Sequence, residues 1–287
     1  MTTMTSKKIR FIADSTCDIP QDVLKKWDIT IIPAFVNYGG NSYADDGVEL
    51  DRVAYYDQLP TMPAQPTTAA PPPGLTEAII SRVAAEADHV VMLTVPATLS
   101  GIYNTFRLGA SNLPPETYTL IDSGTTTMGM GFQVMVGAEV AAATGSVAEV
   151  VSAIERARKH IRLYAAPESM TYLRRSGRVG WAAAGAATLL QIKPIVAVSD
   201  GVVESTARVR TFGKAVEKMV ELALEQAPID RLALLHTNNL HGAQDMRQQL
   251  GNAIPAETYT INITPVLGTH VGPKALGVVT LNNGWRQ

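Results

Sequence analysis

Between residues 9 and 144 the chain alternates short apolar runs with amphipathic stretches, and this alternation restricts the fold more than any other feature. Residues 9–13, 29–36, 90–95 and 118–121 read as strands, the second of them edged or bent at Pro33. Helices are expected from Pro20 to about Trp27, over 51–59 and 75–87, and from Ser100 onward with Tyr103, Phe106 and Ala110 on one face. Another is expected over 128–144, where Gly145 ends it. Strands alternating with helices pair in parallel through right-handed crossovers, and such sheets bind ligands outside the carboxyl ends of their strands. Three of those ends carry hydroxyls here: Ser15 with Thr16, Thr98 with Ser100, and Ser123 with Thr125.

Past a helix expected over 147–160 the pattern changes. Residues 162–166, 195–199, 202–205, 231–236 and 275–281 are strand candidates, and Asp200-Gly201 between two of them reads as a tight hairpin. With 287 residues the chain exceeds the usual size of one domain. The expected organisation is therefore an N-terminal parallel α/β domain (1–150) and a C-terminal mixed α/β domain (151–287), with a ligand between them.

Charged residues make up only 17% of the chain and the net charge is -2, so nothing attracts nucleic acid or an anionic membrane in general. The single cysteine, Cys17, excludes an internal disulfide. The first residues lack the apolar segment of a secretory signal, and the apolar run at 181–190 is interrupted by Gln191 and Lys193. A cytoplasmic protein without stable membrane insertion is expected.

No phosphate-binding loop occurs, and Gly129-Met130-Gly131 lacks the third glycine of a dinucleotide fingerprint. A phosphotransferase therefore has no visible nucleotide site. His236, His241 and Asp245 have no further ligand to complete a metal set. Ser100 near a helix start either caps the helix or joins its free N–H groups in binding a carboxylate. Asp14 and Asp122 at strand ends suit acid–base chemistry, metal binding or loop support. The segment 60–74 holds six prolines and reads as a stiff loop, a surface connection or a crevice lining. His270, between Gly268 and Gly272, is expected in a loop, exposed or beside a reacting atom. Arg174, Arg175, Arg178, Arg208 and Arg210 form either solvated surface or a docking patch for an acidic partner.

Several pieces, weak alone, gain meaning from their order and spacing: Ala13-Asp14-Ser15-Thr16 with Pro20, Pro66-Thr67-Thr68, Leu99-Ser100-Gly101 with Tyr103, and Asp122-Ser123 with Gly129 and Gly131. Further on come the run from Tyr172 to Val179, Lys193-Pro194, Asp200-Gly201, Arg208-Val209-Arg210, and His270 with Gly272-Pro273. With them the chain resembles the DegV family over essentially its whole length. The resemblance implies a cofactor-free carrier that buries a long-chain fatty acid between two α/β domains and has no catalysis of its own. A separate ATP-dependent fatty-acid kinase would convert the exposed carboxylate to an acyl phosphate for phospholipid metabolism. By motif position it implies that Thr68 and Ser100 bond the carboxylate with His270 beside it. Asp14, Ser15, Gly101, Asp122 and Ser123 would support the site, while Arg178, Arg208 and Arg210 would face the kinase. Ala69, Ala70 and Ile102 stand where the family pattern has serine, glutamine and threonine, which leaves the carboxylate fewer polar neighbours. The alternative is a serine hydrolase of an acyl substrate, with Ser100 as nucleophile, His270 as base and Asp122 as its orienter, although Ser100 lacks a Gly-x-Ser-x-Gly turn.

Overall fold

The computed structural model describes residues 7–181 and 192–287, so the apolar run at 181–190 lies outside the described residues apart from Trp181. The first half follows the expected alternation. Strands β1 (Ile9–Asp14), β2 (Ile29–Ile32), β6 (His89–Thr94) and β7 (Tyr118–Asp122) form a parallel sheet in the order β2-β1-β6-β7. Helices α1 (Gln21–Trp27), α3 (Pro73–Ala84), α4 (Ile102–Gly109) and α5 (Met128–Thr144) alternate with them.

The expected strand over 29–36 is two strands. Pro33 has no N–H to carry the ladder onward, so Ile32 ends β2 beside Asp14 and the chain turns into β3 (Phe35–Tyr38). β3 is the middle strand of a small sheet with β4 (Asn41–Ala44) and β5 (Thr67–Ala69). β5 lies within the proline-rich segment and takes an edge position, as proline neighbours require. Asp51 accepts the N–H of Ala54 and so caps α2 (Arg52–Gln58).

The second half builds a six-stranded mixed sheet in the order β10-β9-β8-β13-β11-β12. Its strands are β8 (Ile161–Ala166), β9 (Lys193–Ser199), β10 (Val202–Val209), β11 (Ile229–His236), β12 (Glu257–Asn262) and β13 (Leu276–Asn282). Asp200 and Gly201 both have positive φ, 49° and 76°, as a two-residue hairpin between β9 and β10 demands. Strand β12 and helices α7 (Met170–Arg175), α8 (Phe212–Leu224), α9 (Leu240–Leu250) and α10 (Pro265–Val271) were not expected from the sequence.

Helix α5 shows how the halves meet. It is buried continuously from Met128 to Ala138, as befits a helix that is apolar on every side. With α6 (Val147–His160) it packs against Phe11, Val91 and Leu93 of the parallel sheet and against Leu163, Leu235 and Val279 of the mixed sheet. The two helices are thus a layer common to both sheets. Residue 150, where the sequence suggests a boundary, lies inside α6, and Val150 is fully buried in this shared core. The outer face of the parallel sheet is covered by α3 and α4, that of the mixed sheet by α8 and α9. No helix among the described residues is long and apolar enough to cross a membrane.

Candidate functional site

A cavity of about 1120 Å³, part of it continuous with solvent, lies where the carboxyl ends of the parallel strands face the mixed sheet. Leu163 and Ala165 of β8, Val196 and Val198 of β9, Leu235 of β11 and Leu276 of β13 make an apolar wall. Thr68, Ser100, Arg178 and His270 line the same cavity, so four residues singled out in the sequence, up to 202 positions apart, are brought to one place.

Each is positioned by its own element. Thr68 sits on β5, opposite Val36 of β3. Ser100 follows the end of β6 and precedes α4, and its Oγ lies 3.4 Å from the N–H of Ile102. A contact of that length is a weak cap, which leaves the hydroxyl available to the cavity. Gly101 is the N-cap residue of α4.

His270 lies not in a loop but in helix α10, which its seven-residue length and the glycine at 268 hid from periodicity. Pro265 opens the helix, and Thr264 caps it by accepting the N–H of Leu267. Asp18 accepts the N–H of Thr264 at 2.9 Å, the Tyr56 hydroxyl donates to the carbonyls of Ile263 and Thr264, and Tyr55 bonds the hydroxyl of Thr269 at 2.6 Å. So held, His270 places Nε2 3.0 Å from Thr68 Oγ1. Burial, and secondarily the Arg178 guanidinium, push the His270 pKa down to about 4, so the ring is neutral at pH 7. Arg178 is exposed at the mouth and donates to the carbonyl of Ser176 at 2.6 Å.

The strand-end acids support loops. Asp14 is fully buried, with Oδ1 accepting from the N–H and hydroxyl of Thr16 and Oδ2 from the N–H of Val95. Burial raises its pKa against the opposing pull of these bonds. Ser15 donates to Asp45 and accepts from the N–H of Ala34. Ser123 donates to the carbonyl of Thr125. Asp122 accepts from the N–H groups of Ala97 and Gly124.

This overturns the hydrolase arrangement. Asp122 is spent on backbone, no acidic side chain among the described residues hydrogen-bonds His270, and the hydrogen bond of His270 goes to Thr68, not Ser100. An acid that does not reach the histidine cannot fix its tautomer or steady its charge. Arg208 and Arg210 are exposed on and just after β10.

The family model described as that of an uncharacterised protein, DegV family, matches residues 8–283. This chain belongs to the DegV family. A DegV domain-containing protein of Streptomyces coelicolor is 31% identical over 281 residues, 96% of this chain and 98% of its own. Protein DegV of Bacillus subtilis is 28% identical over 276 residues, 94% of this chain and 98% of its own. Among solved structures, a fatty-acid-binding DegV family protein from Thermus thermophilus matches with a TM-score of 0.89 at 26% identity, covering 96% and 99% of the two chains. The crystal structure of Bacillus subtilis DegV, described as a fatty acid binding protein, matches with a TM-score of 0.85 at 25% identity, covering 96% and 100%. The two-sheet α/β architecture is thus that of solved DegV proteins.

Sequence reading missed the wall of the cavity and the polar residues Thr126, His236 and Thr237 within it. The signal existed. Residues 163/165 and 196/198 alternate at strand period and so share a face, and His236 ends a strand, as Ser15 and Ser100 follow theirs.

Proposed function

We propose that the protein buries the chain of a long-chain fatty acid in this cavity, holds the carboxylate beside Thr68, Ser100 and His270, and presents it to a separate ATP-dependent kinase for conversion to an acyl phosphate. The observation that carries the reading is the combination of an apolar wall with the Thr68–His270 pair and Ser100 in one cavity. Relatives of known structure are described as fatty-acid-binding, which supports the same ligand class.

The division of labour follows from magnitudes. Burying about 14 methylenes is worth at most about 11 kcal/mol at ~0.8 each, whereas a hydrogen bond to a charged group nets about 1.5–3 kcal/mol. The tail supplies affinity and the hydroxyls set position. A neutral histidine and neutral hydroxyls leave a carboxylate oxygen more nucleophilic than a bidentate arginine would, which suits an oxygen that must attack a phosphoryl group. The two-domain division near residue 150 belongs to this proposal: Thr68 and Ser100 come from the first part, His270 and most of the apolar wall from the second. Exposed Arg178, Arg208 and Arg210 are the kinase-facing candidates.

The test is to load the delipidated protein with radiolabelled fatty acid and add ATP, hydroxylamine and soluble extract of the source organism. Acyl hydroxamate is expected only when all are present. With fatty acid at saturation, Ser100→Ala should cut the hydroxamate yield at least about tenfold while lowering fatty-acid affinity by no more than the ~1.5–3 kcal/mol of one such hydrogen bond. Hydroxamate formed without ATP, or equal yield from the variant, would refute the reading.

A further inference from the structure

The turn Asp200-Gly201 belongs to the second half of the chain, yet its tip is seated on the loops that follow β6 and β7 of the first. The N–H of Gly201 donates to the carbonyl of Gly124 at 2.8 Å, and the Gly201 carbonyl accepts the hydroxyl of Thr98 at 2.6 Å. Arg158 of α6 donates to the carbonyl of Asp122 at 3.1 Å and to the Asp200 carboxylate at 2.8 Å. The Asp200 side chain is 78% exposed, so that ion pair adds little and the bonds to Gly201 do most of the fastening. The fit is close: a Cβ on Gly201 would stand 2.6 Å from Thr98 Oγ1 and 3.2 Å from Pro96 Cβ.

Thr98 lies in the turn that delivers Ser100. Pro96 is buried, and its carbonyl accepts the N–H groups of Leu99 and Ser100 at 2.9 and 3.1 Å, which closes residues 96–100 into a tight loop. Asp122 holds the loop from the first half through the N–H of Ala97 at 3.0 Å. Two bonds tie it to the second half. The Leu99 carbonyl accepts from Arg178 Nε at 3.5 Å, the outer limit of such a contact, whereas Thr98 donates to Gly201 at 2.6 Å. Thr98 is thus the strong tie, two residues from the serine that lines the cavity, while Thr98 itself lies outside the cavity lining.

We propose that the tip of the Asp200-Gly201 hairpin is the positioning element for Ser100, acting through the hydroxyl of Thr98. Val198 and Val203, one on each strand of the hairpin, line the cavity. One element therefore meets the acyl chain with its strands and sets a head-group hydroxyl with its tip. This inference rests on the fatty-acid reading above and adds a positioning residue to it.

The test is the NMR resonance of octadecanoic acid, labelled with carbon-13 in its carboxyl group, at saturation on the delipidated full-length protein. Ser100→Ala defines the displacement caused by losing the serine contact. Thr98→Val keeps the shape of threonine and removes its hydroxyl, so it should move the resonance the same way, with a fall in the acid's affinity no larger than that of Ser100→Ala. The retained affinity reports a folded protein. Gly201→Ala, which drives the tip off Thr98, should move the resonance likewise, and Thr98→Ser, which keeps the hydroxyl, should leave it at the parental position. A parental resonance in Thr98→Val or Gly201→Ala while Ser100→Ala is displaced would overturn the inference and leave the fatty-acid reading standing. So would Thr98→Ser displaced as far as Thr98→Val, or an affinity loss in Thr98→Val beyond that of Ser100→Ala. Failure of the parent to bind the acid, or a resonance indifferent to Ser100→Ala, would overturn the head-group reading and this inference with it.

Discussion

At the scale of single residues, the charged groups behind the site are as informative as those in it. Asp18 and Asp45 are nearly inaccessible, 3% and 2% exposed, and share Arg52 as their cationic neighbour. Burial pushes their pKa values up to about 6 and about 7. A carboxyl whose folded pKa is raised contributes stability that is fully present below its ordinary value of 3.8 and is lost as pH climbs through the folded value. Asp45→Asn removes this dependence. The melting temperature of the variant relative to the parent should therefore be more favourable at pH 8 than at pH 5, and thermal melts showing an equal difference at both would contradict the assignment. These two acids were not legible as a pair from the sequence. Asp18 follows β1 and Asp45 follows β4, and only the turn of the chain at Pro33 brings them together. Ser100 and Thr68 were legible because each stands at a recognisable break in local pattern, a strand end and a proline-rich edge.

At the scale of elements, α10 is the piece on which the candidate site turns, because it fixes His270 against Thr68. Its fit depends on Gly268, where a Cβ would collide with the Tyr56 ring. Gly268→Ala must displace either the helix or the tyrosine that anchors Ile263 and Thr264. The expected cost is about 1–3 kcal/mol of stability, the range for overpacking a buried site, measured by urea denaturation with weakened fatty-acid binding alongside. A loss under ~0.5 kcal/mol, the level of an ordinary surface change, would show that the helix is not held as described. The sequence does not reveal this helix because seven residues broken by Gly268 carry no readable period. Long α5 and α6 carry strong signals, and there expected and observed bounds coincide. Strand β12 escaped notice because Glu257–Asn262 is largely polar and sits at a sheet edge.

At the scale of the whole molecule, the alternation of strands and helices was enough to establish a parallel sheet, but not the second sheet's order or its shared helical layer. Those depend on pairings such as that of β13 with β8, which joins residues more than a hundred positions apart and leaves no local trace. The cavity is a product of that arrangement: its polar lining draws on both halves, Thr68 and Ser100 from the first and Arg178 and His270 from the second, and its apolar wall mainly on strands of the second. The account rests on that space holding an acyl chain. Mass spectrometry of lipid extracted from the purified, denatured protein tests this most directly, with Leu235→Trp, which fills the wall, as the comparison. The account predicts close to one long-chain fatty acid per protein chain for the parent and little for the variant. Extracts free of fatty acid in the parent, or equally rich in both, would contradict it.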